Sequence, residues 1–246
     1  MVSERVFSKY TNIKRYNYNP DEIGDNYDLK YSLRSRFGSY FELRKLESYL
    51  ELLNQNKIEL SSKKILDIGC HRGFHLRFFS ELKQDSSELY GVDIIPPFIK
   101  SAKKVNSKLN FFIADASNLP FDDSFFDIIL INYVFCESDS FESREEMAKH
   151  ILSKLKKGGY IIFFDFYDSF WIRLIAKWKK WPKRVKGLGS FNDNSINSLF
   201  ANTQLLFSKS FINILTYRSV KISFFLPRLF DLFIPHEYYI VLLRKN

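Results

Sequence analysis

The sequence predicts an α/β fold in which a mainly parallel sheet carries helices on both faces. Short apolar runs alternate with segments of helical spacing between residues 63 and 166, the pattern of repeated strand–helix units. Three of these runs end in an acid, Asp67, Asp93 and Asp115. Any one acid is readily explained as a turn or helix cap. We interpret acids at three successive strand ends as ligand-binding groups.

The first unit is a strand, a glycine turn and a helix. Residues 64–68 predict the strand, Gly69 and Gly73 the tight turn, and the apolar spacing of Phe74–Leu82 the helix. Glycine lacks a Cβ, so the backbone of such a turn can approach a ligand closely. The motif is common among strand–helix units, and it becomes informative only together with the later units of the chain.

The second and third units repeat the pattern. Leu89–Asp93 predicts a strand, and Pro96 and Pro97 open a helix through residue 104, because proline suits the first helical turn. An acid at the tip of a second strand matches the vicinal hydroxyls of a ribose. Residues 109–114 predict the third strand.

The remaining elements follow the same alternation. Residues 125–131 are apolar enough for a strand buried on both faces. A helix beginning near residue 147 is predicted to stop at Gly158 and Gly159, before a strand that reaches residue 166. Residues 193–202 predict a capped helix, and residues 205–217 and 237–243 predict the last two strands. Near the N-terminus, residues 37–53 have helical apolar spacing.

These units, in this order, resemble the class I S-adenosylmethionine (SAM)-dependent methyltransferases, and within them the type 11 group of quinone- and sugar-modifying enzymes. The resemblance covers residues 63–166, including LPFDDSFFDIIL before the fourth strand and LKKGGYIIF before the fifth. It implies a Rossmann-like sheet that is parallel with an antiparallel last strand. It also implies SAM as the cofactor. No metal site is predicted, because the two cysteines have no metal-binding spacing.

The resemblance assigns roles to the strand-end residues. It implies that Asp67 serves the methionine end of SAM and that the glycine turn wraps it. It further implies that Asp93 holds the ribose and that Asp115 lies along the adenine. The cofactor-binding set implied in this way is Asp67, Gly69, Cys70, Gly73, Asp93, Ile94, Asp115, Ala116 and Asn132.

Two departures from the family pattern concern catalysis. His71 stands where the family usually has a third glycine, so its side chain either narrows the site or points away from it. The acid–histidine pair that often follows the fourth strand is absent, and Tyr133 begins the run there. No catalytic residue is therefore assigned, and His75, Glu137 and Tyr133 are candidates only. Each is more readily explained as a non-catalytic residue.

Two other functional classes share parts of this pattern. A nicotinamide-dependent dehydrogenase also places glycines after its first strand and an acid after its second. Its G-x-G-x-x-G fingerprint is not supplied by CHRGFH, and Asp67 and Asp115 fit SAM better. A SAM-fold protein that binds a partner without catalysis is the second alternative, and His71 is the residue that favours it.

Charge is concentrated in the last third of the chain. The formal net charge is +9, and residues 171–246 hold 13 Lys or Arg but only 3 Asp or Glu. A solvated basic helix is our first interpretation of residues 171–186, an anionic membrane surface the second, and nucleic acid, which we do not expect, the third. The residues predicted to meet a membrane are Trp171, Lys177, Trp178, Lys179, Lys180 and Trp181.

Composition predicts a cytoplasmic protein, peripheral on the inner membrane face if it meets a membrane. Only two cysteines occur, with no metal-binding spacing, and no apolar run approaches the ~18 residues that span a bilayer. We expect residues 1–60 to form an N-terminal helical extension or lid. In the family such segments cover the SAM site, which makes Tyr31, Arg34 and Arg36 candidates for its carboxylate. Residues 61–246 form one domain, with residues 171–192 as a basic aromatic insertion.

The sequence thus predicts a SAM-dependent methyltransferase. The predicted acceptor is a small molecule or a lipid-linked sugar or quinone, methylated on oxygen. An RNA methyltransferase that uses the basic C-terminal third is the alternative within the same reaction class.

Overall fold

The computed structural model describes residues 35–83, 85–138, 140–168, 190–213 and 236–246. The helices are α1 (Arg36–Gln55), α2 (Phe74–Leu82), α3 (Pro96–Val105), α4 (Phe141–Lys154) and α5 (Asp193–Leu199), with a 3-10 turn at Phe135–Glu137. The strands are β1 (Ile65–Ile68), β2 (Leu89–Asp93), β3 (Asn110–Ile113), β4 (Phe126–Asn132), β5 (Leu155–Tyr167), β6 (Ser190–Phe191), β7 (Thr203–Asn213) and β8 (His236–Lys245).

The strands form one mixed sheet in the order β3-β2-β1-β4-β5-β8-β7, and β6 pairs with β5. The first five strands of this order run parallel, whereas β8 is antiparallel to both β5 and β7. The predicted α/β class, with its parallel sheet and antiparallel last strand, is confirmed. Since β1 lies between β2 and β4, the carboxyl ends of these strands share one edge.

Helices cover both faces of the sheet, as predicted. One core cluster joins α1, α2 and α3 to the sheet, with Tyr49, Phe79 and Ala102 buried. The other joins α4 and α5 to the opposite face, with Ile151 and Ile196 buried. Strand β4 is apolar along most of its length because its alternate side chains enter both clusters.

The predicted glycine stop of the fourth helix is wrong. Helix α4 ends at Lys154, and Gly158 and Gly159 lie inside β5. Gly158 has φ +72°, and the pairing register of β5 with β4 shifts between Phe126 and Ile128. A Cβ on Gly159 would lie 2.9 Å from the Asp127 carbonyl oxygen. The glycines therefore accommodate a strand irregularity.

Other predicted bounds shift at their ends. Helix α5 has the predicted cap, a reciprocal box between Asn192 and Ser195, but ends at Leu199 rather than at residue 202. Residues 214–217 of the predicted sixth strand lie outside the described residues. So do Tyr31, Arg34 and the predicted membrane contacts Trp171, Lys177, Trp178, Lys179, Lys180 and Trp181. Of the helices that the structure describes, none has the length and apolarity needed to span a bilayer.

Two glycines with similar backbones differ in what surrounds them. Gly73 has φ +74°, and a Cβ there would lie 2.5 Å from Phe111 Cζ. At Gly158 the nearest atom would be Arg244 Nη2, 3.9 Å away. Alanine at either site costs about 1 kcal/mol for its left-handed backbone. We expect Gly73→Ala to cost about 2–4 kcal/mol in total, because overpacking adds about 1–3 kcal/mol, and Gly158→Ala about 1 kcal/mol.

Urea denaturation of the two variants measures the difference in unfolding free energy. Equal losses would show that the Phe111 ring moves aside without cost.

Candidate functional site

The loop between β1 and α2 is held by β2. The amides of Gly69 and Cys70 both donate to the Val92 carbonyl, at 2.9 and 3.0 Å, and Gly73 N donates to Cys70 O at 2.8 Å. These amides are satisfied within the protein. Gly69 is required by packing, because a Cβ there would lie 2.9 Å from the Asn132 carbonyl oxygen.

Asp93 closes the same loop with its carboxylate. Its Oδ2 accepts from His71 N and its Oδ1 from Ile95 N, both at 2.9 Å. Burial raises the pKa of Asp93 to about 6, although these backbone hydrogen bonds act against the rise. A carboxylate offers about four acceptor positions. Each oxygen therefore retains capacity for a ligand hydroxyl, and Ile94 lies half-buried beside it.

Asp67 belongs to a buried hydrogen-bond chain that joins α1, β4 and β1. Tyr49 Oη donates to Asn132 Oδ1 at 2.8 Å, and Asn132 Nδ2 donates to Asp67 Oδ1 at 2.9 Å. Asp67 Oδ2 is buried and has no hydrogen-bond partner among the described residues. Burial raises the pKa of Asp67, while His75, Asn132 and Lys45 partly offset the rise.

His75 lies between two carboxylates. Its Nε2 is 3.3 Å from Glu42 Oε2, and its Nδ1 is 3.9 Å from Asp67 Oδ2. Burial raises the pKa of Glu42, but the hydrogen bond and charge of His75 and the charge of Lys45 outweigh it, so the pKa lies below its usual value. His75 therefore links α2 to α1. Its role as a base stays a prediction, as does that of Glu137, which ends the 3-10 turn.

His71 occupies the position where the family usually has glycine. Its φ is +51°, so the backbone keeps the left-handed conformation that glycine favours. Its ring packs on Phe98 of α3, with centroids 3.8 Å apart. Burial and the charge of Arg72 lower the pKa of His71 to about 4, so the imidazole is neutral near pH 7.

Asp115 caps the turn after β3. Its Oδ1 accepts from Ser117 N and Ser117 Oγ, both at 2.8 Å, and its carbonyl accepts from Asn118 N. Ala116 is buried in the core on the α4 face. The cofactor contacts of these two residues stay predictions.

Five rings gather at the carboxyl ends of β4, β5 and the start of β8. We call this the aromatic cluster, and it consists of Phe41, Tyr133, Phe164, Phe166 and Tyr238. The ring centroid of Tyr133 lies 5.0 Å from that of Phe164 and 5.5 Å from that of Phe166. Tyr133 has φ +54°, an uncommon conformation for a bulky residue. Strain of this kind is frequent at functional positions.

Several site residues escaped the sequence analysis because they lie on α1. Glu42, Lys45 and Tyr49 face the sheet, and Lys45 is 1% exposed. One feature of the sequence could have indicated Lys45: it shares the apolar face of a helix with Phe41 and Tyr49, at positions i, i+4 and i+8. By contrast, the candidate Arg36 is exposed at the first residue of α1.

Asp165 is a buried acid that the sequence analysis also missed, although it interrupts the apolar run of β5. Its Oδ2 accepts from Cys136 N at 3.1 Å and its Oδ1 from Phe166 N at 2.9 Å. Burial raises the pKa of Asp165 to about 7, against the effect of hydrogen bonds from Phe166 and Cys136.

Comparison with known proteins identifies the domain. Residues 66–163 match the family described as methyltransferase domain. The chain carries a SAM-dependent methyltransferase domain. The matched residues run from β1 through most of β5, and they include Asp67, the glycine loop, Asp93 and Asn132.

The relatives act on different molecules. A demethylmenaquinone methyltransferase of Thermotoga maritima is 28% identical over 69% of this chain and 72% of its own. A tRNA (carboxymethyluridine(34)-5-O)-methyltransferase of Saccharomyces cerevisiae is 29% identical over 40% of this chain but only 34% of its own. A SAM-dependent methyltransferase structure from Aquifex aeolicus aligns with TM-score 0.58 at 13% identity, over 94% of this chain and 100% of its own, which shows the shared fold.

The residues of the methyltransferase domain fit a cofactor with an amino-acid end. The buried Oδ2 of Asp67 has no hydrogen-bond partner among the described residues, and an ammonium group would supply one. The carboxylate of Asp93 retains acceptor positions for hydroxyls. Both acids lie at the carboxyl edge of neighbouring parallel strands, with Ile68 paired to Val92.

The hydrogen-bond chain through Asn132 should contribute to stability. Tyr49→Phe leaves Asn132 Oδ1 buried without its donor, so we expect a loss of about 1–2 kcal/mol in unfolding free energy. Tyr90→Phe is the control, because Tyr90 Oη donates to Glu88 at 3.2 Å in a partly exposed place. Chemical denaturation compares them, and equal small losses would contradict a cooperative chain.

Asp165 should make stability fall with rising pH. Its folded pKa is about 7, against about 3.9 when unfolded. The folded state therefore holds this proton more tightly, and the stabilisation is lost as pH rises through 7. Between pH 5 and pH 8, the unfolding free energy of Asp165→Asn should therefore rise by about 2–3 kcal/mol relative to that of wild type.

Asp127→Asn is the control for that pH series. Burial raises the pKa of Asp127, but hydrogen bonds from Lys64 and Lys156 lower it below its usual value, so its difference from wild type should stay constant between pH 5 and pH 8. Urea midpoints at both pH values provide the measurement. A constant difference for Asp165→Asn as well would mean that Asp165 is already ionised at pH 5.

Proposed function

We propose that this protein transfers the methyl group of SAM to a small, apolar ring acceptor of the quinone class. The observation that carries the proposal is the pair of buried acids around the glycine loop. Asp67 has one oxygen with no hydrogen-bond partner in the part of the chain that the structure describes, and Asp93 has spare acceptor positions. They lie within a methyltransferase domain.

Each residue has a stated part in holding the cofactor. Asp67 accepts from the ammonium group, and Asp93 accepts from the ribose hydroxyls. Asn132 orients Asp67 through its amide. When bound, SAM supplies an electrophilic methyl group, and the chain contributes mainly position and exclusion of water.

The acceptor class is inferred from the aromatic cluster. Tyr133 directly follows Asn132, so its ring lies beside the residue that orients Asp67. Neighbouring rings favour a flat apolar molecule by stacking and edge contacts. The demethylmenaquinone methyltransferase relative, matched over 72% of its length, supports the same class. We propose oxygen as the methylated atom, and analysis of the product separates it from carbon.

RNA is the second candidate acceptor. The match to a tRNA methyltransferase and the basic excess of residues 171–246 favour it. Binding that rests on phosphate neutralisation falls steeply with salt.

We also propose that the protein is cytoplasmic and that the tryptophan and lysine side chains predicted as membrane contacts, between Trp171 and Trp181, meet an anionic membrane face. Co-sedimentation with vesicles of phosphatidylglycerol checks this, because Lys and Arg should bind them at low salt. A protein that stays in the supernatant would contradict it.

Cofactor binding should depend on Asp93. Titration with S-adenosylhomocysteine (SAH) by calorimetry should give at least tenfold weaker binding for Asp93→Asn, since an amide offers fewer acceptor positions to the ribose. Asp127→Asn is the matched control, because Asp127 also accepts from a backbone amide, Lys64 N, but lies at the opposite end of the sheet. Equal affinity in all three proteins would remove Asp93 from the site. A folded wild type that binds no SAH would overturn the proposed function.

The acceptor is tested by product analysis. Wild type is incubated with methyl-labelled SAM and either reduced demethylmenaquinone or total tRNA, at two salt concentrations. Label in the quinone supports the proposal, and mass spectrometry locates it on oxygen or carbon. Salt-sensitive label in tRNA alone would favour the second candidate.

A further inference from the structure

Lys45 is a buried cation that lacks an anionic partner among the described residues. Its Nζ lies 4.0 Å from the ring centroid of Phe164, 5.4 Å from that of Tyr133 and 6.0 Å from that of Tyr49. Ring faces attract an ammonium group but do not replace a hydrogen-bond acceptor. Among the residues that the structure describes, no carboxylate forms an ion pair with Lys45.

Lys83 is another buried lysine, and it differs from Lys45 in having hydrogen-bond acceptors. Lys83 Nζ donates to three backbone carbonyls, at 2.7 Å to Leu60, 3.2 Å to Ser61 and 2.7 Å to Lys63. A cation kept in a protein interior without such partners is costly. An anion bound beside Lys45 would offset this cost.

Asp67 is the complementary group. It is fully buried, and its Oδ2 has no hydrogen-bond donor within the described residues. Lys45 and Asp67 lie close enough to influence each other electrostatically: burial lowers the pKa of Lys45, and the charges of Glu42, Asp67 and Asp165 oppose the fall. Lys45 and Asp67 nevertheless form no ion pair with each other. Asp67 Oδ2 lies 3.9 Å from His75 Nδ1, beyond hydrogen-bond distance, and can accept from a ligand cation, while Lys45 can donate to a ligand anion.

We propose that Lys45 donates to the carboxylate at the amino-acid end of SAM, next to the ammonium group that the proposed function assigns to Asp67. This rests on the proposed function. An α-amino acid carries its two opposite charges on neighbouring atoms, which matches one ligand to both groups. Helix α1 thus contributes directly to the cofactor site.

The protonation of Lys45 agrees with a donor role near neutral pH. Burial lowers its pKa to about 8, while Glu42, Asp67 and Asp165 limit the fall. At pH 7 most of the protein therefore carries the charged amine.

A thermodynamic cycle isolates the contact of Lys45 with the carboxylate. Wild type and Lys45→Met are titrated by calorimetry at pH 7 with SAM and with decarboxylated SAM, which keeps the amine and the sulfonium. We expect removal of the ligand carboxylate to weaken binding at least tenfold in wild type. In Lys45→Met the two ligands should bind alike, because the coupling is absent.

Lys83→Met is the matched control, and its cycle should equal that of wild type. Thermal unfolding without ligand adds a second readout. Lys45→Met should unfold at or above the wild-type temperature, since it removes an unpaired buried charge. Lys83→Met should unfold below it, since three carbonyls lose their donor.

The outcomes separate the inference from the proposed function. Suppose that wild type binds SAM and that Lys45→Met either weakens the binding of SAM and decarboxylated SAM by the same factor or weakens neither. Lys45 then does not touch the carboxylate, and the inference is overturned. If ligand binding is unchanged and only methyl transfer falls, Lys45 serves the acceptor instead. If wild type binds neither ligand, the proposed function falls together with the inference.

Discussion

The buried hydrogen-bond chain from Tyr49 through Asn132 to Asp67 is the interaction on which the site depends. It crosses from α1 to β4 and from β4 to β1, so one connected set of polar atoms aligns three elements. Polar atoms in a low-dielectric interior must be satisfied. The hydrogen-bond chain satisfies one oxygen of Asp67, whereas the other has no hydrogen-bond partner among the described residues.

The parallel sheet explains why the acids of the site meet. In register, Asp67 lies beside Gly91 on β2 and Leu130 on β4, so the residues that follow these strands come together at one edge. Gly69 then passes so close to the Asn132 carbonyl that no side chain fits between them. The glycine loop is therefore shaped by packing and hydrogen bonds within the protein.

Electrostatics in this region are balanced through α1. Glu42 pairs with His75 of α2, and Lys45 lies over the aromatic cluster. Lys45 supplies a positive charge near Asp67, whereas burial and, to a smaller extent, the charge of Asp67 raise the pKa of Asp93. Helix α1 is thus part of the electrostatic environment of the site, and part of the core around Tyr49.

The sequence by itself determined the order of strands and helices, the sheet class and the strand-end acids Asp67 and Asp93. These are local properties, because apolar periodicity, glycine turns and proline starts act over a few residues. It misplaced the end of α4, since a glycine pair signals a stop and an irregular strand equally well. Only the tertiary structure decided that Lys45, Tyr49 and Glu42 face the site. Helix periodicity identifies which face of a helix is buried, but it does not show which strand ends that face covers. The tertiary structure also decided that Asp115 caps its own turn, while one oxygen of Asp67 has no hydrogen-bond partner within the described ranges. That difference depends on which distant side chains reach each carboxylate, and only the packed fold brings those together.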